Sequence, residues 1–373
     1  MRGTVTKKNN RWYIVYYIGK DANGKWKQKW EGGFDTKKEA EKALRARLDE
    51  LENQFVRNVD TSTVTAYLLH WLDAYCVPRL ATNTVIGYRV NIEKHIIPRI
   101  GKIKLSDLQP KDVQYLYDDL AQSGLSGTSV RYVHNTLHRA LVSAVKSQII
   151  PRNAADFVEP PVKSKFEVEP LMPEEARRLI SACEETEIYM PVLLALVLGL
   201  RRGEVLALQW DDVDFDNRTV SIRRSANLIK GQFVISDTKT KNSRRTLRIS
   251  DTMWNCLNEH KMKQRQFSEA FGEGFNPYNL VNCREDGTPF TPYAIQYRFK
   301  EILSKYNLPD IRFHDLRHTN ATLLLRAEQP AKIVSAMLGH SCIGITLDIY
   351  SHVMTDMQSG AVKALESILN NPC

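Results

Sequence analysis

The strongest constraint on the fold of this chain is an almost entirely apolar run from Ile188 to Leu200. The run is too short to cross a bilayer, because a spanning helix needs about 20 apolar residues. A helix that is apolar on every side must be buried among other elements. We therefore predict a buried helix here, with Arg201 at the end of that buried element, where it faces a cleft.

The length and composition predict a globular protein with several domains. A chain of 373 residues exceeds one ordinary domain, and a hydrophobic fraction of 43% is sufficient for two or three cores. The six cysteines lie far apart and form no Cys-x-x-Cys pair. This spacing argues against a zinc ribbon or a redox motif and favours reduced thiols. The first ten residues are polar and basic, so no secretion signal is expected.

Positive charge is concentrated at the start of the chain. The net charge is +9, and between Met1 and Trp30 the only acidic residue is Asp21. Basic residues in this stretch alternate with tryptophans and tyrosines rather than forming one continuous charged run. A small module with one sign of charge and interleaved aromatic residues favours a polyanionic partner over a merely solvated surface.

The first segment, residues 1–56, has the pattern of strands followed by one helix. Residues 11–18 are rich in aromatic and β-branched types, which is typical of a strand. Asn23-Gly24 favours a hairpin turn, and residues 26–30 form the return strand. Thr36 and Glu39 have the spacing of a capping box at the start of a helix. The pattern predicts a small α+β module.

Residues 62–158 have the periodicity of helices instead. Apolar residues recur at helical spacing in four stretches, and prolines or a glycine mark the boundaries. The second helix is predicted to end before Pro98, the third to run from Pro110 to Gly124, and the fourth to span residues 128–148. We predict a four-helix domain.

A stiff, basic linker, Glu159–Lys165, separates this domain from residues 166–373. The last region is mixed. A helix begins at Pro173, short strands are predicted at residues 219–224, 233–235 and 246–249, and the pattern is mainly helical after Tyr293. The predicted fold class is therefore multidomain α+β: a small N-terminal sheet module, a four-helix domain, and a mainly helical domain with a small antiparallel sheet.

Six residues in the C-terminal half carry side chains suited to chemistry at one phosphate. They are Arg201 in Gly-Leu-Arg-Arg-Gly-Glu, Lys239 in Thr-Lys-Thr-Lys, His314 and Arg317 in His-Asp-Leu-Arg-His, His340 in Leu-Gly-His, and Tyr350 in Asp-Ile-Tyr-Ser-His. Two arginines, a lysine and two imidazoles are what a doubly charged phosphorane needs around it. The tyrosine could attack the phosphorus.

The order and context of these residues resemble the tyrosine recombinases, the family of phage and conjugative-transposon integrases. The resemblance implies a site-specific DNA recombinase (integrase) that cleaves and rejoins DNA through a 3′-phosphotyrosyl intermediate, to integrate and excise a mobile element. It also implies an arm-type DNA-binding domain with a three-stranded sheet (1–56), a helical, SAM-like core-binding domain (62–158) and a catalytic domain with a C-terminal tail (166–373). The resemblance is specific only in the catalytic domain.

Roles for the charged clamp and the nucleophile follow from the resemblance. Tyr350 is expected to be the nucleophile, and Arg201 and Arg317 to hold the non-bridging phosphate oxygens, which a guanidinium fork fits. Arg202 competes with Arg201, but the family pattern places the catalytic arginine directly after Gly-Leu. A surface salt bridge between Arg201 and Glu204 is the alternative, structural interpretation.

The other catalytic roles concern proton transfer. His314 is expected to act as general base or as a hydrogen-bond partner of the phosphate, and His340 as a donor to it. Lys239 is the expected general acid for the leaving 5′ oxygen, with Lys241 as its rival. His318 lies four residues after His314, but no Glu stands between them in a His-Glu-x-x-His arrangement, so no metal is expected.

The expected partner is double-stranded DNA at attachment sites, bound by a homotetramer. Excisionase and a host DNA-bending protein are further expected partners, whereas no cofactor and no membrane contact are expected. The protein is then cytoplasmic, and nucleoid-associated when bound. The candidate DNA-binding residues are Lys7, Lys8, Arg11, Lys25, Lys27, Lys29, Lys163, Lys165, Lys241 and Arg244.

Two other functions share some of these features. A type IB topoisomerase-like enzyme would use the same chemistry without a partner duplex, but the separate basic N-terminal module favours the integrase. A non-catalytic DNA-binding regulator would not need the complete set of six residues. The amphipathic C-terminal tail, residues 354–373, fits docking either on a neighbouring protomer or on its own domain.

Overall fold

The computed structural model describes residues 3–8, 11–20, 26–57, 62–162, 169–229, 231–238 and 244–339. The chain divides into two compact units, Met1–Phe166 and Glu167–Cys373, and each has its own architecture. Within the described ranges, no helix has the length and apolar character needed to cross a membrane.

The first unit begins with an antiparallel sheet in the order β1-β2-β3. Its strands are β1 (Gly3–Lys8), β2 (Arg11–Lys20) and β3 (Trp26–Phe34), and α1 (Lys37–Arg57) packs against them. Ile14, Tyr16 and Ala40 are buried between sheet and helix. Thr36 and Glu39 exchange the two hydrogen bonds of the predicted capping box, at 3.3 and 3.2 Å. The Asn23-Gly24 turn lies outside the described residues.

Two features of this module differ from the pattern of the sequence. The sequence of β1 has no hydrophobic alternation, and all six of its residues are partly or fully exposed. Only its pairing with β2 identifies it as a strand. The helix α1 continues to Arg57, one residue past the predicted boundary of the module.

The next part of the first unit is helical throughout. Its elements are α2 (Val64–His70), a π-helical turn (Trp71–Cys76), α3 (Thr82–Val90), a second π-helical turn (Asn91–Ile96), α4 (Ile97–Ile100), α5 (Pro110–Gln122) and α6 (Gly127–Lys146). The buried Tyr67 hydroxyl donates to the Ala140 carbonyl at 2.8 Å and joins the first helix to the last.

The predicted end of the second helix before Pro98 is wrong. The helical backbone continues through Pro98, which lies in the first turn of α4, to Ile100. Proline lacks an N–H group and normally disrupts a helix interior. Here the π-helical turn changes the hydrogen-bond register just before it, with the Ile97 N–H bonded to the Ile92 carbonyl. Proline at the start of the new helical register is therefore tolerated.

The second unit combines seven α-helices, in its described part, with a small antiparallel sheet and a hairpin. Its elements are α7 (Pro173–Cys183), α8 (Tyr189–Val197), α9 (Arg202–Ala207), β4 (Val213–Asp214), β5 (Thr219–Ile222), β6 (Arg224–Ile229), β7 (Gln232–Asp237), β8 (Arg245–Arg248), α10 (Asp251–Phe271), α11 (Pro292–Lys305), α12 (Asp315–Arg326) and α13 (Ala331–Leu338). The sheet has the order β4-β5-β8, and β6 pairs with β7. The predicted fold class is confirmed.

The apolar run at 188–200 forms the buried helix that its composition predicts. Helix α8 is buried along most of its length and ends earlier than the run, at Val197. Gly199 then takes a left-handed φ of +64°, and a Cβ atom there would lie 2.5 Å from Leu338 and 2.8 Å from Asn320. Glycine alone can make this close turn, which directs the chain toward Arg201.

Candidate active site

Arg201 lies at the N-terminus of α9, directly after the turn that follows α8. Its backbone N–H donates to one carboxylate oxygen of Glu204 at 3.0 Å, and its Nη1 donates to the other at 2.8 Å. Its Nη2 donates to the Gly339 carbonyl at 3.0 Å. The guanidinium is thus held on two sides, and 35% of the Arg201 side chain is exposed.

The neighbouring Arg202 is exposed, in the first turn of α9. Arg201 contacts Glu204 and the Gly339 carbonyl, and the choice of Arg201 over Arg202 stays a prediction. The structural alternative for Arg201 is also only half right: Glu204 is its partner, but Glu204 is 3% exposed, so this pair is not a surface salt bridge.

Arg317 is almost completely buried, with 3% of its surface exposed. Its Nη1 donates to the Gly199 carbonyl at 2.7 Å, and its Nη2 donates to the Leu338 carbonyl at 2.5 Å. One guanidinium therefore joins the end of α8 to the end of α13, close to the backbone that leads into Arg201.

His314 precedes the first turn of α12, and Arg317 follows within that turn. The buried Asp315 fixes this turn by accepting three hydrogen bonds from Arg312. The protein packed around the His314 ring, and then the positive charges of His318 and Arg317, lower its pKa to about 4. The residue is also exposed, so water screens part of this effect. Even at its ordinary pKa the imidazole is predominantly neutral at pH 7 and can accept a proton.

The structure thus brings three of the six predicted site residues into one cluster. Arg201 and Arg317 both contact the C-terminus of α13, and the charge of Arg201 also acts on His314. Lys239, His340 and Tyr350 lie outside the described residues. The described chain reaches Gly339, whose left-handed backbone (φ 66°, ψ 47°) ends α13 one residue before His340.

Sequence reasoning missed Arg245 and the full role of Glu204. Arg245 lies at the start of β8 and donates to both carboxylate oxygens of Glu204, at 3.3 and 2.9 Å. It also donates to the Met337 carbonyl at 2.6 Å. The glutamate three residues after Arg201 could have revealed a carboxylate that accepts from the backbone N–H at the start of α9. Nothing local could have revealed Arg245, since it belongs to a basic run.

All candidate DNA-binding residues whose side chains are described lie on the surface. Lys7, Lys8 and Arg11 are exposed where β1 and β2 meet, and Lys29 is exposed on β3, 3.5 Å from Glu31. Arg244 is exposed and donates to Asp237 at 2.6 Å. Lys25, Lys163, Lys165, Lys241 and the side chain of Lys27 lie outside the description.

Three family models match the chain in the order of its predicted modules. An arm DNA-binding domain matches residues 4–51, and the N-terminal SAM-like domain of phage integrases matches residues 63–121. The phage integrase family matches residues 169–357, which is half of the chain and includes all six candidate catalytic positions.

Two relatives match along nearly the whole chain. A "Tyrosine recombinase XerC-like" protein from Caldanaerobacter subterraneus is 30% identical, with 97% of each chain covered. The "ICEBs1 integrase" of Bacillus subtilis is 27% identical, with 90% of this chain and 91% of the relative covered.

Solved structures share the fold. The integrase of the Tn1549 transposon, solved in complex with transposon right end DNA, has a TM-score of 0.71 at 21% identity, covering 82% of this chain and 99% of that one. A lambda integrase tetramer bound to a Holliday junction has a TM-score of 0.57 at 18% identity, covering 91% and 95%. With these matches, the chain belongs to the phage integrase family, the tyrosine-type site-specific DNA recombinases.

Proposed function

We propose that this chain is an integrase that cleaves and rejoins DNA through a 3′-phosphotyrosyl intermediate formed by Tyr350. The observation that carries the proposal is the convergence of Arg201 and Arg317 on the end of α13, one residue before His340, with His314 beside them. A guanidinium pair next to a neutral imidazole suits a phosphate whose charge increases during attack.

We assign the roles of the clamp from the family pattern, and the charges of its residues support the assignment. Arg201 and Arg317 bind the non-bridging oxygens and stabilise the phosphorane, an effect worth about 10²–10³ in rate for one donor. His314 accepts a proton or a hydrogen bond at the phosphate, and His340 donates one. The 35% exposure of the Arg201 side chain supports this assignment, because a phosphate can approach it from solvent.

Tyr350 and Lys239 handle the proton transfers. A phenol with a pKa near 10 is mostly neutral at pH 7. Ionising it there costs roughly 4 kcal/mol, which the nearby cations and a base must offset. Lys239 protonates the leaving 5′ oxygen. The phosphotyrosyl ester conserves the energy of the broken bond, so a 5′ hydroxyl released by cleavage of the partner duplex can attack the phosphorus, displace Tyr350 and rejoin the DNA without ATP or a metal.

The three modules divide DNA binding between them. We assign residues 1–56 to arm-site binding, 62–158 to the core-binding clamp and 166–373 to catalysis. Lys7, Lys8, Arg11 and Lys29 support the first assignment because they are exposed on a sheet module. Lys25, Lys27, Lys163, Lys165, Lys241 and Arg244 complete the proposed DNA-contacting set. Phosphate contacts of this kind position a protein on DNA.

The assembly we propose is a homotetramer on two duplexes, at the attachment sites of a mobile element. It is supported by the relatives, which include the ICEBs1 integrase and the "Transposase from transposon Tn916", and by the lambda integrase tetramer on a Holliday junction. An excisionase and a host bending protein would set direction. The protein would act in the cytoplasm, at the nucleoid.

Covalent trapping tests the proposed reaction. A suicide DNA duplex, nicked so that the cleaved fragment diffuses away, is incubated with the full chain and resolved under denaturing conditions. Wild type is expected to form an adduct at the 3′ phosphate, and Tyr350→Phe none. An adduct that persists in Tyr350→Phe, or none with wild type on its own attachment site, contradicts the proposal.

A second measurement separates the integrase from a type IB topoisomerase. Two attachment-site duplexes are mixed with the protein, and the products are examined for a four-way junction. The integrase is expected to form the junction and then recombinant duplexes, whereas a topoisomerase would only relax supercoiled DNA.

A further inference from the structure

A single buried carboxylate, Glu204, is shared by two guanidiniums. Arg201 donates to one of its oxygens at 2.8 Å, and Arg245 contacts both. The Glu204 and Arg245 side chains are 3% and 7% exposed, whereas Arg201 is 35% exposed. The more accessible of the two arginines is therefore the one proposed to bind phosphate.

Arg245 dominates the ionisation of this carboxylate. Burial by itself raises the pKa of Glu204, but the hydrogen bonds and charge of Arg245, followed by those of Arg201, outweigh burial and hold that pKa below its ordinary value. Glu204 is thus an anion at neutral pH, and its main counter-ion is Arg245. If Arg245 were removed, Arg201 would become the main counter-ion of this buried carboxylate.

Arg201 and Arg245 also share a second target with Arg317, which is the C-terminal end of α13. Arg245, Arg317 and Arg201 donate respectively to the carbonyls of three consecutive residues, 337, 338 and 339, at 2.6, 2.5 and 3.0 Å. The last carbonyls of a helix lack partners within it and form the negative end of the helix dipole. Arg245 therefore also fixes the backbone from which His340 follows.

We propose that Arg245 is a positioning residue for the phosphate clamp, keeping the charge of Arg201 available by neutralising Glu204 and holding the end of α13 in place. The proposal rests on the proposed function of this site. One carboxylate between two guanidiniums leaves one net positive charge, and we assign that charge to Arg201, the more accessible of the two arginines. Without Arg245, the charge of Glu204 would cancel that of Arg201, and the pair would carry no net charge.

The test compares single-turnover cleavage of the suicide duplex at saturating protein, together with the DNA dissociation constant and the Tm, for full-length variants. Arg245→Gln is expected to cleave bound DNA about 100-fold more slowly than wild type, since it removes the effective charge of one phosphate donor. Its dissociation constant should change by no more than about threefold, because all three guanidinium nitrogens of Arg245 already donate to Met337 or Glu204 and make no phosphate contact. Arg248→Gln is the matched control, since Arg248 lies on the same strand but is exposed.

A second substitution distinguishes charge balance from simple packing. Adding Glu204→Gln to Arg245→Gln restores the single net charge, so the double variant is expected to cleave at least about tenfold faster than Arg245→Gln alone. A purely structural role predicts the opposite, because a second substitution in the same buried contact adds further disruption. Arg245→Lys retains the charge and should also exceed Arg245→Gln.

Three results would overturn the proposal: an Arg245→Gln rate within about threefold of wild type, a loss confined to the dissociation constant, or a double variant no faster than the single one. If Arg245→Gln does not fold, the cleavage rates of Arg245→Lys and of the double variant test the proposal instead. Both keep the net charge, and a folded variant more than about 100-fold slower than wild type contradicts the inference. A wild type that forms no adduct contradicts the proposed function instead.

Discussion

Arg317 donates a 2.7 Å hydrogen bond to the Gly199 carbonyl, although the two residues are 118 positions apart. The bond joins α12 to the turn after α8, and the same guanidinium reaches the end of α13. A residue proposed to bind phosphate is therefore also a buried structural link. The two hydrogen bonds hold the Arg317 guanidinium in a fixed position, as preorganised catalysis requires.

Replacement of Arg317 by lysine should disrupt both roles. An ammonium group on a flexible stem cannot span two carbonyls as the planar guanidinium does. We expect cleavage to fall by about 10²–10³-fold. A carbonyl left without a donor should reduce the free energy of unfolding by about 1–3 kcal/mol. Single-turnover cleavage and chemical denaturation measure the two effects. A lysine variant with wild-type cleavage would contradict the assignment.

Gly199→Ala should destabilise the catalytic unit. The left-handed backbone costs an alanine about 1–2 kcal/mol, and the added methyl would meet Leu338 at 2.5 Å and Asn320 at 2.8 Å. Overpacking of this kind adds about 1–3 kcal/mol.

Gly231→Ala is the matched control for that experiment. Gly231 also has a positive φ, +80°, but no atom of the described residues lies within 4 Å of the position of its Cβ atom. Urea denaturation should show the larger loss for Gly199→Ala. Equal losses would mean that the close contact with α12 and α13 contributes nothing.

His314 should make the stability of the protein depend on pH between about pH 6.5 and pH 4. Its folded-state pKa of about 4 lies below the ordinary value of 6.5. In this window the unfolded chain binds more protons, so stability falls as the pH falls. His314→Gln removes this contribution, so its Tm should drop less than that of wild type from pH 7 to pH 5. Parallel Tm profiles for the two proteins would refute the prediction.

The basic N-terminal module should determine part of the salt dependence of DNA binding. Neutralising Lys7, Lys8 and Arg11 together by glutamine is expected to reduce the slope of log K against log salt by about 2–3, because each phosphate contact releases about 0.9 of a counterion. The measurement is a binding titration on arm-site DNA at several salt concentrations.

A control with the same change in charge tests whether the location matters. Lys37, Lys38 and Lys42 are exposed on α1 of the same module. Their triple glutamine variant should leave the slope nearly unchanged. If the two triple variants behave alike, binding depends on net charge rather than on the sheet.

Local signals in the sequence were sufficient for much of the fold. The buried α8 followed from its apolar composition, the start of α1 from the capping pair Thr36 and Glu39, and the ends of α5 from Pro110 and Gly124. Each of these signals acts within one or two turns of backbone, so the residues alone carry it. The strand β1 was not predicted from its residues, because they are mostly polar and lack hydrophobic alternation.

The order of the candidate catalytic residues could also be read from the sequence, but the contacts that hold them in place could not. Arg245 lies 41 residues from Glu204 and 92 from Met337, and only the tertiary fold brings the three together. The sequence by itself determined which side chains could bind a phosphate. The tertiary structure decided which arginine is buried as a counter-ion and which is left accessible, because burial and charge sharing depend on contacts between distant segments.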